Sequence, residues 1–573
     1  MTMKRRTFVH AAGVAAAGTL LNPGMTMGAA GPLGGPQRPA SGPASRRADL
    51  VLRGATVFDG TGAPGREMDV AVTGDRITGV GPNLPAGSEE LDLRGLALAP
   101  GFIDIHSHAD MSLFINPNAE SRVRQGVTLE VAGQDGGSVG PWSEDQYQET
   151  RERYRTRHGA DIDFRDTPGF LAGIDRLRPA VNVASMIGNG AVRGFVVGNE
   201  NRPATETEMG RMVAEVRKAI NGGCVGLSSG LEYTPSGFAD PHELVSLASV
   251  MKGTGYPYAS HMRNEDDRVL AAVEETVHIG RMAGVPVQVS HLKAQGMRNY
   301  WKQDVILDLL AEARETGVDA MYDCYPYVAY QTGLTNLFPT EMRSGGNRAF
   351  LARLRAPETA AILERAARDK IALQGDWNSI QITSVGATPW ARGKKLGDLS
   401  RERGVDPYDL TLELLEANGG SVGIIGYGMS EENVAALLAN PLGMMCSDGG
   451  AYAPYGPLSE SSPHPRGYGS FPRLLGRYVR DMKVLSLEAA VHKVTAMPAR
   501  RLRLAGRGAI AAGAFADLVA FDPAAVADQA TFEDPHQYPV GIPVVVVNGV
   551  VTIRDGEQTG QRGGRGIRGE ARV

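Results

Sequence analysis

The chain has 573 residues, 42% of them hydrophobic, with a formal net charge of -5 and a sequence pI near 6.2. That length supports a large catalytic domain with a smaller companion and an ample core, and the mild acidity excludes the basic footprint of a nucleic-acid-binding protein. The three cysteines, Cys224, Cys324 and Cys446, are odd in number and lack zinc-finger spacing, which excludes a disulfide framework.

Lys4-Arg5-Arg6-Thr7-Phe8-Val9 is followed by an apolar, alanine-rich stretch from Ala11 to Leu21 and by the small residues Gly28-Ala29-Ala30. This is the order of a cleavable export signal, and the paired arginines resemble the twin-arginine class. Residues 1–30 are therefore expected to be a twin-arginine signal peptide read by that export machinery, giving a periplasmic or secreted bacterial protein. Residues 31–47, rich in Gly, Pro, Ala and Ser, read as a flexible leader. Nothing later is apolar enough to span a bilayer, so no stable membrane association is expected.

From Asp49 the chain reads as short strands with turn punctuation, such as Ala55-Thr56-Val57-Phe58 and Arg76-Ile77-Thr78-Gly79-Val80. The same texture returns in Ala516 to Asp522 and in Pro543 to Val551. One small β domain, a sandwich built from both termini (48–98 and 505–560), accounts for both. Between them apolar strand-like runs alternate with helical patterns, which signals parallel β/α units. Candidate strands fall at 101–108, 127–134, 181–188, 223–229, 256–262, 286–292, 319–326 and 443–448, enough to close a (β/α)8 TIM-type barrel over 99–504. A ninth run at 422–427 means that one of these is an extra strand or a loop. The stretch from about 332 to 398 breaks the alternation and reads as an inserted lid. The Arg/Gly-rich end, 561–573, is expected to be a disordered tail.

Strand side chains alternate faces, so His106 and His108 in Phe102-Ile103-Asp104-Ile105-His106-Ser107-His108 point the same way. Four further runs end in metal-type ligands: Asp135, His261, His291 and Asp448. In a parallel barrel the C-terminal strand ends meet on one face, so these six residues converge. Imidazoles and carboxylates so gathered suit a divalent metal. Asp104 has the same parity but lies deeper, and reads as a supporting group.

Stretches spread over nearly the whole chain after the leader resemble the amidohydrolase superfamily, and within it the D-aminoacylase (N-acyl-D-amino-acid deacylase) branch. They include Ala99 to His108, Gly226 to Pro235, Ser260-His261-Met262-Arg263-Asn264-Glu265, Ser290-His291-Leu292-Lys293, Ser447-Asp448-Gly449 and Pro463-His464-Pro465-Arg466. The resemblance implies Zn2+, one or two ions, in a β/α barrel. It implies His106, His108 and Asp448 at one metal position, His261 and His291 at the other, and Asp448 as proton shuttle. The small-molecule partner it implies is an N-acyl-D-amino acid, cleaved at its amide.

One departure is visible: the branch commonly has a cysteine thiolate where this chain has Asp135. A carboxylate is the harder ligand, so other divalent ions are expected to be accepted as well, and its two oxygens can bridge two ions. For the substrate carboxylate, Tyr233, Lys293, Tyr325 and Arg466 form the expected clamp. Other amidohydrolase-type C–N hydrolases, such as a dipeptidase or cyclic amidase, and an exported metal-binding barrel without catalysis are the alternatives. Gly226-Leu227-Ser228-Ser229-Gly230 matches the serine-hydrolase pattern formally, but the Pro-containing stretch after it is not the required helix. For the export signal, Edman sequencing of mature protein is expected to start near residue 31; a sequence beginning at Met1 refutes it.

Overall fold

A computed structural model describes residues 47–573. The expected signal peptide and all of the leader but Arg47 lie outside the described residues. Five strands open the described chain: β1 (Leu50–Val57), β2 (Arg66–Thr73), β3 (Arg76–Gly81), β4 (Glu89–Asp92) and β5 (Ala97–Pro100). Next come β6 (Phe102–Asp104), β7 (Val127–Ala132), β8 (Asn182–Ser185), β9 (Ile187–Gly188), β10 (Leu227–Gly230), β11 (Tyr258–His261), β12 (Val287–Val289) and β13 (Ala320–Cys324). They are followed by β14 (Tyr330–Gly333), β15 (Ile380–Ser384), β16 (Gly423–Gly426), β17 (Gly443–Met445), β18 (Leu518–Phe521), β19 (Val544–Val547), β20 (Val550–Arg554) and β21 (Glu557–Gln558).

The small β domain is a nine-stranded sheet in the order β21-β20-β19-β18-β5-β1-β2-β3, with β4 on β1. Both termini meet where β18 lies antiparallel to β5, Leu518 opposite Pro100 and Phe521 opposite Ala97. The unbroken apolar runs of β18 and β19 have a simple cause, since each serves two cores. Leu518, Ala520, Val544 and Val546 pack into the small domain, whereas Val519, Phe521, Val545 and Val547 pack against the barrel.

The barrel strands are all parallel, in two arcs, β6-β7-β8 and β9-β10-β11-β12-β13-β17. Strands β8 and β9 are consecutive pieces of one strand interrupted at Met186, and a lone bridge between Ser107 and Gly449 joins β6 to β17. The ring therefore closes on eight strands. The ninth run is β16, which lies between β14 and β15 in a separate antiparallel sheet. Leu334, Ile380, Ile424 and Leu414 share a core of their own there. The insertion is thus longer than 332–398 and ends only after β16, because a short buried run looks the same in a barrel strand and in an insertion strand.

Residues 561–573 are not a disordered tail. Gly564 N donates to Pro179 O at 2.8 Å, Ile567 N to Val183 O at 2.7 Å and Gly569 N to Gly223 O at 2.8 Å. Here glycine permits close backbone approach: a Cβ on Gly564 would come within 2.1 Å of Val181 O. The composition that suggested disorder is what docks the segment.

Beside β6 and β7 Arg122, fully buried, pairs with Asp104 and Glu130. Asp104 also accepts from Ser447 N at 2.9 Å, tying β6 to the loop after β17, while its burial pushes its pKa up to about 6. Replacing Arg122 by Met leaves two buried carboxyls without their cation, and a loss of about 3–5 kcal/mol is expected. Urea denaturation of the variant checks this.

Candidate metal centre

All six expected ligands lie at C-terminal strand ends, on one face of the barrel. His261 ends β11, and His106, His108, Asp135, His291 and Asp448 follow β6, β7, β12 and β17 within a few residues. Three of them turn the chain through the left-handed region, with φ of 52° at Asp135, 33° at His291 and 52° at Asp448. Such backbone costs about 1–3 kcal/mol per residue and is typically held at functional sites by the surrounding structure.

Asp135 is the hub. Its Oδ1 lies 3.4 Å from His106 Nε2, and its Oδ2 lies 3.4 Å from His108 Nε2, 3.4 Å from His291 Nε2 and 3.8 Å from His261 Nδ1. Asp448 Oδ1 is 3.0 Å from His108 Nε2 and 3.5 Å from His106 Nε2, and His261 Nδ1 is 2.9 Å from His291 Nε2. Atoms bound to one tetrahedral ion at about 2.0–2.2 Å stand about 3.3–3.6 Å apart, so the spacing fits divalent ions. His106 Nδ1 and Nε2 and Asp135 Oδ1 are buried without a hydrogen-bond partner. A metal would satisfy His106 Nε2 and Asp135 Oδ1, which face each other.

The electrostatics point the same way. Burial disfavours charge on His291, as does Lys293, yet Asp135, Glu265 and Asp448 overcome both and raise its pKa to about 10. His108 is likewise raised, since its bonds to Asp135 and Asp448 outweigh burial. Burial opposes ionisation of Asp135 and Asp448, but the imidazoles around both, and Arg466 beside Asp448, hold them well below the usual carboxylate range. Positive charge on His108 and His291 offsets the carboxylates, and a divalent cation can take over that role.

The expected substrate clamp is placed differently. Lys293 Nζ donates to Glu265 Oε1 at 2.6 Å and lies 2.8 Å from His291 Nδ1, so two of its contacts orient a metal-site histidine. Arg466 Nη1 lies 2.7 Å from Asp448 Oδ2. The Tyr325 ring faces the Arg466 guanidinium at 4.9 Å, and its hydroxyl rests on Met429 Sδ. Tyr233 packs its ring on His261 and bonds Thr332 Oγ1 at 3.2 Å. Tyr233, Lys293 and Tyr325 still line one cavity with His261, His291 and Asp448, roofed by Tyr330, Gln331, Leu337 and Ile424 of the insertion. Arg466 is not among its lining residues.

Sequence reasoning missed three carboxylates. Asp323 accepts from His291 N at 2.7 Å, which braces that candidate ligand, and lies near His106 Nδ1, at 3.5 Å, without a hydrogen bond to it. Glu265 lies 3.1 Å from His291 Nδ1, and Glu232 lies 3.4 Å from His261 Nε2. Position near the end of β13 was the available signal for Asp323. Neighbouring Arg263 is structural, pairing with Glu275. Ser228 and Ser229 are buried in β10, and their hydroxyls bond Gly133 O, Tyr258 and Ser260, without histidine.

With this geometry in hand, comparison with known proteins is specific. The sequence profile of the amidohydrolase family matches residues 89–233 and 359–553. D-aminoacylase of Alcaligenes xylosoxydans xylosoxydans is 36% identical over 527 residues, covering 90% of this chain and 97% of that protein. The crystal structure of N-acyl-D-glutamate deacylase from Bordetella bronchiseptica, complexed with zinc and a phosphonate mimic of the tetrahedral intermediate, superposes with a TM-score of 0.77 at 33% identity, covering 91% of this chain and all of that one. A D-aminoacylase structure described for its binuclear metal centre gives a TM-score of 0.76 at 34% identity over 91% of this chain and 100% of that one. The chain belongs to the amidohydrolase family.

Because Asp323 fixes His291 through its backbone N–H and sits beside His106, Asp323→Ala is expected to weaken metal affinity about 10- to 100-fold. Competition against a chromophoric chelator measures it.

Proposed function

We propose that the chain is a divalent-metal-dependent hydrolase that cleaves the amide bond of N-acyl-D-amino acids to a carboxylate and a free D-amino acid. One observation carries the reading: Asp448, an ionised carboxylate, stands between the imidazole cluster and a cavity roofed by the insertion. His106, His108 and Asp448 would hold one ion, His261 and His291 the other, and Asp135 has an oxygen facing each set. Zinc is the metal of the structural relative, and the all-nitrogen and oxygen donor set also suits harder divalent ions. When bound, the metal supplies Lewis acidity to water and to the amide carbonyl.

The protein's own groups manage the proton. Arg466 occupies Asp448 Oδ2, leaving Oδ1, on the histidine side, to accept a proton from the attacking water. Because Arg466 and the imidazoles favour the ionised form of Asp448, the proton is held briefly and passed to the leaving nitrogen as the C–N bond breaks. Water's oxygen goes to the acyl carbon and its two protons are shared between the products. Tyr233 lines the cavity as a hydroxyl donor for the substrate carboxylate, Lys293 beside it orients His291, and the ring of Tyr325 holds Arg466 in place. Preference for the D configuration follows the relatives. Export through the twin-arginine route is part of the proposal and rests on the order of residues 4–30.

Asp448→Asn is expected to keep its metal and lose at least about 100-fold in kcat, while His261→Ala loses both metal and turnover. Metal analysis alongside a panel of N-acetyl-D- and N-acetyl-L-amino acids checks these outcomes. Normal turnover by Asp448→Asn removes the shuttle role, and equal rates on both enantiomer sets refute the D assignment.

A further inference from the structure

On the opposite face of the barrel, near the N-terminal ends of the strands, lies an open hollow of about 1050 Å³. Lys252, His492, Arg500, Arg503 and Arg572 line it, with Glu570 as its one acidic lining residue among the described residues. The whole chain carries a net charge of -5, so this concentration of cations is local. Lys252, Arg500, Arg503 and Arg572 are exposed and form no ion pair among the described residues. Arg507, which also lines the hollow, is by contrast engaged with Asp517, and the adjacent Arg501 with Asp319.

The arginines are held in position. His492 Nδ1 lies 2.7 Å from the Gly60 carbonyl, which can only accept, so Nδ1 carries the hydrogen and Nε2 accepts from Arg500 Nη2 at 2.8 Å. Arg503 lies against Gly255, where an added Cβ would come within 2.7 Å of its Nη1. Arg572 is brought to the rim by the docked C-terminal segment. Asn221 Nδ2 donates to Val573 O at 3.0 Å, Val573 N donates to Asn221 Oδ1 at 2.8 Å, and Ala571 N donates to Tyr256 Oη at 3.2 Å. The last residues of the chain thus complete a basic wall.

We propose that this hollow is a binding site for a small polyanion bearing phosphate groups, separate from the metal centre. Like charges lining one hollow repel one another, and an anion seated among them relieves that repulsion. Guanidinium forks suit planar or tetrahedral oxyanions. Arginines from two segments, Arg500 and Arg503 on one and Arg572 on the other, converge on the hollow and favour phosphate, whose oxygens diverge, over a single carboxylate, which one fork satisfies.

Calorimetric titration of the full, metal-loaded chain with tripolyphosphate tests the site, alongside sedimentation with phosphatidylglycerol vesicles to separate a free phosphate ligand from a lipid headgroup. The comparison uses the double variant Arg500→Ala/Arg503→Ala and the surface control Arg365→Ala. Binding of either probe that is weakened at least tenfold in the double variant and unchanged in the control supports the proposal and identifies the source. Deacylation by the double variant is expected to match the parent chain. Absence of binding to both probes, or binding that the double variant retains in full, overturns it.

Discussion

A ring of imidazoles closed around two carboxylates, buried except at His108, which opens to solvent, is the constraint on which the rest depends. Asp135 and Asp448 are both lowered in pKa and His108 and His291 both raised, because the opposite charges favour one another. Such a cluster gains little from burial and much from a central cation. Three of its members occupy left-handed backbone, a cost that the barrel's packing sustains.

The charges around this ring are arranged in layers, and that layering explains why several expected substrate contacts turn inward. Lys293 and Glu265 orient His291 from one side, and Asp323 holds the same residue through the backbone. Arg466 occupies one oxygen of Asp448 and so decides which oxygen faces the reaction. Beside them Arg122 joins Asp104 and Glu130. The insertion, with its own hydrophobic core, then covers the cavity and presents Tyr330, Gln331 and Ile424 to whatever enters it. Precision at the centre therefore comes from groups that need not touch substrate.

The site's inner members were legible because each stands at the end of an apolar strand-like run, and parallel strands in a closed barrel must bring those ends together. The bracing acids were not. Glu232 and Glu265 lie in loops after β10 and β11, where an acid reads the same whether it faces solvent or an imidazole. Val422 to Tyr427 was ambiguous for another reason: a short buried run has no periodicity that tells a parallel barrel strand from an antiparallel insertion strand. The C-terminal segment misled in the opposite direction, since its glycines signal disorder in isolation but close backbone contact when a partner surface exists.

By itself the sequence determined the (β/α)8 barrel, the β domain shared between the two ends of the chain and the six inward-facing imidazoles and carboxylates, because these follow from alternation of side chains along strands and from the closure of eight parallel strands. Tertiary structure alone decided the pairings: Arg466 with Asp448, Lys293 with Glu265 and His291, Asp323 with His291, and the docked end that carries Arg572 to its hollow. Ion pairs and hydrogen bonds depend on distances of a few ångströms between residues far apart in the chain, and no local pattern encodes those distances.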